Sequence, residues 1–280
     1  MTMKLQKILP ALVLVTSLAF SSCKKESSVN KDNEIETTME LTTNQAISDN
    51  LTEDANDVLM QVAEEKELTG SRLASPGETA FLCATVTVTP VSGFPKTITI
   101  DFGTGCTTPN GISRSGIIRV VVSDSLRRPG SSSVMTFENY FINGFKKEGI
   151  ITWTNTSTTV TKSWRREVVD GKITAPGGRF WMHESIKEVA QVDGLRTPRL
   201  PIDDIFIITG TGSVTNANNV TRTSIITEPL QKKVNCRFID RGRIRFQGPN
   251  HFAILDYGNG TCDNAATISI DGNPPRAITL

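Results

Sequence analysis

Hydrophobic and polar residues alternate with a period of two over most of the chain, from about residue 79 to the end. Runs rich in Thr, Val, Ile and Phe, such as 97–102 and 134–142, are separated by pairs that favour tight turns with positive φ. The five pairs are Asn110-Gly111, Asn143-Gly144, Asp170-Gly171, Gly177-Gly178 and Asp271-Gly272. Strands joined by tight turns are antiparallel neighbours. The pattern predicts an all-β region, residues 79–280, built as an antiparallel meander or sandwich of roughly a dozen strands.

Before this region, the spacing of the apolar residues is that of a helix. From Ile47 to Val62, apolar residues recur at spacings of three and four, which indicates a helix with one apolar face. We expect an acidic amphipathic helix over residues 46–68, packed on the β region. Residues 23–45 are polar and rich in Ser, Thr and Asn, so they are expected to form a flexible tether.

The first 22 residues have the features of an export signal. Two lysines precede an apolar run at 8–20, which is too short to cross a bilayer as a helix. Small residues then lead to Cys23, which resembles the lipobox of bacterial lipoproteins. That resemblance implies removal of residues 1–22, acylation of Cys23 with fatty acids such as palmitate, and anchoring in the cell envelope. The polar residues after Cys23 resemble outer-membrane rather than inner-membrane sorting. Periplasmic and surface-facing orientations both stay open.

Charge is distributed unevenly along the chain. Residues 24–79 contain 5 basic and 13 acidic residues, a net charge of -8, whereas residues 80–280 contain 23 basic and 16 acidic residues, a net charge of +7. An acidic segment ahead of a basic body indicates either docking within the chain or an anionic partner. Nucleic acid is not expected as a partner of an exported protein.

Four cysteines remain after Cys23, and three pairings are possible. Cys83 and Cys106 are nearly equidistant from a turn at 92–95, and Cys236 and Cys262 are equidistant from a turn at 248–250. Residues equidistant from a hairpin turn face each other. We therefore predict the disulfides Cys83–Cys106 and Cys236–Cys262, with four buried free thiols as the alternative.

The two cysteine-framed hairpins end alike. Residues 100–106 read IDFGTGC, and residues 255–262 read LDYGNGTC. Asp, an aromatic residue and glycines at a strand end are typical of a turn, although Asp101 or Asp256 could instead bind Ca²⁺. Together with the lipobox, this repeat resembles a group of uncharacterised bacterial envelope lipoproteins. The resemblance implies an architecture and carries no activity, cofactor or site.

Motifs for enzymes are absent from the sequence. There is no nucleophile elbow, zinc-protease motif, Cys-x-x-Cys, phosphate loop or EF-hand, and the two histidines, His183 and His251, are far apart. We therefore predict no catalytic residue, no metal site and no cofactor, and a non-enzymatic binding or structural role. A carbohydrate-active hydrolase using paired carboxylates is the alternative, with Asp203-Asp204 and Glu184 as the conspicuous acids.

Two features favour binding. Four arginines share one face of a predicted strand and could hold the acidic groups of an anionic glycan, although a solvated outer face would look the same. They are Arg237, Arg241, Arg243 and Arg245. Three tryptophans, Trp153, Trp164 and Trp181, could stack on sugars or anchor the core. The hypotheses that remain are an envelope lipoprotein that binds an anionic glycan or an envelope protein, the hydrolase, and a carrier of an apolar ligand.

Overall fold

The computed structural model describes residues 25–66, 68, 83–197 and 201–280. The predicted export signal and Cys23 lie outside the described residues. One long helix, α1 (Lys25–Glu65), precedes fourteen strands. The strands are β1 (Thr85–Thr89), β2 (Lys96–Asp101), β3 (Cys106–Thr107), β4 (Ser113–Val122), β5 (Ser132–Ile142), β6 (Phe145–Asn155), β7 (Lys162–Thr174), β8 (Phe180–Asp193), β9 (Ile205–Asn216), β10 (Thr221–Lys233), β11 (Arg241–Gln247), β12 (Phe252–Asn259), β13 (Ala265–Ile270) and β14 (Arg276–Thr279).

All fourteen strands form one open antiparallel sheet, and chain neighbours are sheet neighbours from β4 to β14. The exception is the short strand β3, which pairs with β4 beside β2. This arrangement confirms the predicted all-β fold class and is a meander in a single sheet. A short 3₁₀ helix (Pro201–Asp203) lies between β8 and β9.

Four of the five predicted turn pairs join consecutive strands, and one does not. Asp170-Gly171 lies inside β7, where the pairing with β8 shifts register between Val168 and Gly171. Asp170 has a φ of +52°. The predicted positive φ is therefore found at Asp170 but not at Gly171, and the pair forms a β-bulge within a strand instead of a turn between two strands.

The helix begins at Lys25 instead of residue 46, so the predicted flexible tether is wrong for residues 25–45. Ser and Thr side chains in this part donate to the carbonyl four residues earlier, as Thr38 does to Glu34 (2.8 Å) and Thr42 to Thr38 (2.7 Å). These bonds satisfy hydroxyl groups inside the fold. Thr38, Leu41 and Thr42 are fully buried, so tertiary packing overrides the weak helix propensity of the segment.

The sheet curves around the helix. Hydrogen bonds join Thr52 to Lys147 of β6, Glu53 to Arg166 of β7, Asp54 to Arg114 of β4 and Asp57 to Lys232 of β10. Residues 52–57 cover only about 8 Å of helix axis, whereas β4 and β10 would be about 29 Å apart in a flat sheet. Consecutive helix residues point about 100° apart. Contacts to so many strands from one short stretch of helix therefore require the sheet to wrap it.

Both predicted cysteine pairs are joined. The Cα atoms of Cys83 and Cys106 lie 6.2 Å apart, and those of Cys236 and Cys262 lie 5.4 Å apart. Each disulfide lies just outside the paired residues of its hairpin, which are those of β1 with β2 and of β11 with β12. Cys83 precedes β1, and Cys236 lies in the connection between β10 and β11. The disulfides thus close the open ends of the two hairpins.

Candidate functional site

The inner face of the sheet is basic where it meets the acidic helix. Ion pairs join Asp49 to Lys187 (2.6 Å), Asp57 to Lys232 (3.2 Å), Glu40 to Arg179 (3.1 Å) and Glu64 to Arg127 (3.4 Å), in addition to Glu53 with Arg166 and Asp54 with Arg114. The sequence left two explanations for the uneven charge, docking within the chain or an anionic partner. The structure shows the acidic helix docked on the basic sheet. The helix is held by paired charges as well as by apolar packing.

Lys147 is an exception among the basic residues that face the helix. Its ammonium donates to the hydroxyl of Thr52 (3.1 Å) and lies 5.5 Å from the ring centre of Phe137, and it forms no ion pair with any described residue. Burial and the neighbouring charge of Arg166 lower its pKa to about 7, against the opposite effect of Asp49, Asp54 and Glu53. Nearby His183 is fully enclosed, and burial together with Lys147 and Lys187 lowers its pKa well below the ordinary value.

A cavity of about 230 Å³ lies between the C-terminal half of α1 and the inner face of the sheet. The helix contributes residues from Glu53 to Glu64, and strands β5 to β10 contribute the opposite wall. The wall is mainly apolar, with Leu59 and Met60 on the helix side. A concave, mainly apolar site with a few polar groups is the usual form of a small-molecule pocket.

Aromatic side chains form the sheet side of the cavity. Trp164 of β7 and Phe206 of β9 meet edge to face with ring centres 6.1 Å apart, and Trp153 of β6 lies beside them in the wall. The third tryptophan, Trp181, is fully buried and donates its indole N–H to the hydroxyl of Ser48 (2.8 Å). Two of the tryptophans singled out from the sequence therefore belong to the cavity, and the third anchors the helix.

Two wall positions hold polar atoms that lack a partner among the described residues. They are the indole Nε1 of Trp153 and the hydroxyl of Ser133. The two residues are cross-strand neighbours in the pairing of β5 with β6. A buried donor without an acceptor costs about 1–3 kcal/mol, and such groups are typical of sites that bind water or a ligand.

Two carboxyl groups in the cavity wall have displaced pKa values. Burial raises the pKa of Asp57 to about 7, against the attraction of Lys232, and Glu53 and Asp54 raise it further. Burial also raises the pKa of Asp204 to about 6, against the attraction of Arg127, while Asp203 and Glu64 raise it further. Displaced pKa values in a cleft mark a candidate functional site.

Asp204 is held beside the cavity by the connection between β8 and β9. Its Oδ1 accepts a hydrogen bond from Nε2 of Gln191 (2.8 Å), and its Oδ2 has no hydrogen bond or ion pair to another described residue. Gly194 leaves room for it, since a Cβ on that glycine would meet Oδ1 at 1.9 Å. The residue is 8% exposed. One carboxylate oxygen thus stays available within a largely apolar wall.

The predicted arginine stripe lies elsewhere and is only partly regular. Arg241, Arg243 and Arg245 alternate with buried residues on β11, but Arg237 lies in the preceding connection and not on the strand. Arg243 forms ion pairs with Glu228 and Asp256, both at 2.7 Å. Arg245 stacks over Phe252 at 3.9 Å. Two donor atoms of the central arginine, Nη1 and Nε, therefore already pair with neighbouring carboxylates.

The other residues singled out from the sequence do not assemble into a catalytic set. Asp101 and Asp256 each accept a hydrogen bond from the backbone two residues later, at Gly103 (2.7 Å) and Gly258 (2.8 Å), which is the turn geometry of the repeat. His251 bonds Asp271. Within the described ranges, no three His, Cys, Asp or Glu side chains form a group that could hold a metal ion.

The cavity was not predicted from the sequence. Its walls come from the helix and from six strands, and only curvature of the sheet brings them together. The signals for it in the sequence are the two tryptophans at 153 and 164 and the acidic doublet 203–204, which are far apart along the chain.

Comparisons with protein-family models, with curated proteins and with solved structures find no match to this chain. In the part of the chain that the structure describes, no helix is long and apolar enough to cross a membrane.

Proposed function

We propose that this protein is a lipid-anchored protein of the bacterial cell envelope that binds a small, mainly apolar ligand without catalysing a reaction. The observation that supports binding is the cavity between α1 and the sheet, with Trp153, Trp164 and Phe206 in its wall. The support for the anchor is the export signal and the lipobox-like sequence before Cys23. The apolar carrier is thus preferred over the other hypotheses.

The size of the cavity limits the ligand. At about 230 Å³ it is smaller than the 300–1,000 Å³ that pockets for drug-sized molecules span. A compound with one or two fused rings, or a short branched chain, fits this volume better than a phospholipid or an oligosaccharide.

The anionic-glycan hypothesis has less support because Arg243, at the centre of the arginine stripe, is paired with two carboxylates. The hydrolase hypothesis requires two carboxyl groups that face each other across a substrate. Asp57 and Asp204 line one cavity, but no contact joins them, and the charges that displace the pKa of each belong to different neighbours.

The test is to fill the cavity. Leu59→Trp places a larger side chain in the wall, because Leu59 lines the cavity and is 2% exposed. The probe is 2-naphthalenemethanol, titrated into the purified protein by calorimetry. We expect the substitution to weaken binding at least tenfold while the protein stays folded by circular dichroism.

The matched control is Ile225→Trp, which adds the same side chain at a position on β10 that is 50% exposed. This variant should bind the probe as the unmodified protein does. Equal affinity in both variants would place any binding outside the cavity, and failure of the unmodified protein to bind would contradict the proposal.

A further inference from the structure

The charged groups of the cavity wall are unequally paired. Glu53 pairs with Arg166, Glu64 with Arg127, and Asp57 with Lys232. Lys232 also donates to the carbonyls of Lys233 (3.1 Å) and Cys236 (2.6 Å), so its three hydrogens are used. Asp204 is the acid of this wall that forms no ion pair within the described residues.

One basic residue of the wall also forms no ion pair. Lys162, at the start of β7, is exposed to solvent, whereas Asp204 is buried. Water solvates an exposed ammonium at little cost, but a carboxylate in an apolar wall loses most of its hydration. Arg127 attracts Asp204 but forms its ion pair with Glu64. The buried charge of the wall without an ion pair among the described residues is therefore the carboxylate of Asp204, which favours a positive group on the ligand.

The aromatic wall favours the same charge. The face of an aromatic ring attracts cations, and the attraction is larger where water is excluded. Trp164 and Phe206 line the cavity together with Asp204. A ring-bearing ligand could place its apolar part against these side chains and a positive group at the free carboxylate oxygen.

We propose that the ligand of this cavity is an organic amine, with an apolar ring body and a protonated nitrogen that donates to Oδ2 of Asp204. This inference rests on the proposed function, since it names the chemical class of ligand for the same cavity. Burial of Asp204 raises the pKa of its carboxyl, and the charge of Arg127, which is paired with Glu64, opposes the rise without cancelling it.

The experiment compares three probes with one ring system. They are 2-naphthylmethylamine, 2-naphthalenemethanol and 2-naphthoate, titrated at pH 7.5, where Asp204 is ionised. The unmodified protein should bind the amine at least tenfold more tightly than the alcohol and bind the carboxylate most weakly. Asp204→Asn keeps the acceptor for Gln191 and removes the charge, so the amine should lose this advantage while affinity for the alcohol stays the same.

Asp203→Asn is the matched control, because the neighbouring carboxyl accepts a hydrogen bond from Thr197 (2.7 Å) and is exposed. It should leave the preference for the amine intact. Binding of the alcohol without preference for the amine would overturn this inference and leave the proposed function standing. A preference that persists in Asp204→Asn would also overturn it. Failure of all three probes to bind would overturn both.

Discussion

Basic residues occur on both faces of this sheet, and the two faces use them differently. On the inner face, Arg166 and Lys187 are 1% and 3% exposed and pair with carboxylates of the helix. On the outer face, Arg241 and Arg243 are exposed, and Arg243 pairs with carboxylates of neighbouring strands. In the sequence nothing marks the inner set as buried, because Arg166 lies between Arg165 and Glu167, and Lys187 is followed by Glu188. Alternation along a strand therefore predicts which residues share a face of the sheet, but it does not predict which face the helix covers.

The largest expected effect breaks an inner pair. Arg166→Ala leaves Glu53 buried without its partner, since the two are 1% and 5% exposed. Removing one member of a buried ion pair costs about 3–5 kcal/mol. We expect the free energy of unfolding, measured by urea titration at pH 7, to fall by this amount.

The double variant Arg166→Met with Glu53→Leu is the control for this prediction. Replacing both charges with apolar groups of similar size removes the unpaired charge, so stability should recover most of the loss. If Arg166→Ala were as stable as the unmodified protein, the inner ion pairs would contribute as little to stability as surface pairs do. The proposed difference between the two faces would then be wrong.

The second prediction concerns the inner lysine that has no carboxylate partner. Because the folded pKa of Lys147 is about 7 and the unfolded pKa is 10.5, the unfolded chain binds more protons between these values. The contribution of this group to stability therefore rises as pH increases from 7 to 10.5. Lys147→Met should therefore stabilise the protein by about 4 kcal/mol more at pH 6 than at pH 10.

The measurement is the difference in unfolding free energy between Lys147→Met and the unmodified protein across this pH range. Lys146→Met is the control, because Lys146 is on the same strand and pairs with the partly exposed Glu148 (2.9 Å). A difference for Lys147→Met that does not change with pH would show that the lysine is charged throughout.

The smallest effect is expected on the outer face. Arg243→Gln removes two exposed ion pairs, and such pairs contribute about 0–1 kcal/mol each. Stability should change by less than about 1 kcal/mol, and the change should shrink in 0.5 M salt. A loss as large as that of Arg166→Ala would make the two faces energetically equivalent.

Much of the sheet could be predicted from the sequence because it depends on local rules. Alternation of apolar and polar residues, together with the turn pairs, predicted antiparallel strands. The nearly equal distances of the cysteines from a hairpin turn predicted both disulfides. The helix from Lys25 to Gln45 could not be predicted in this way, because its polar residues are stabilised by partners 139 to 216 positions away, as Arg179 is for Glu40 and Asn250 for Glu34. The cavity was missed for the same reason.

If the protein is anchored through Cys23 as proposed, the early start of the helix limits the distance between the body and the membrane. The helix begins two residues after Cys23, and among the side chains described, from residue 32 onward, the first that bonds the sheet is Glu34, which accepts from the backbone of Asn250 before β12. The stand-off between bilayer and body is then about 13 Å. The cavity residues of the helix begin at Glu53, about 42 Å along the axis from Lys25. If the helix stood upright on the bilayer, the binding site would lie in the half of the body that is farther from the lipid.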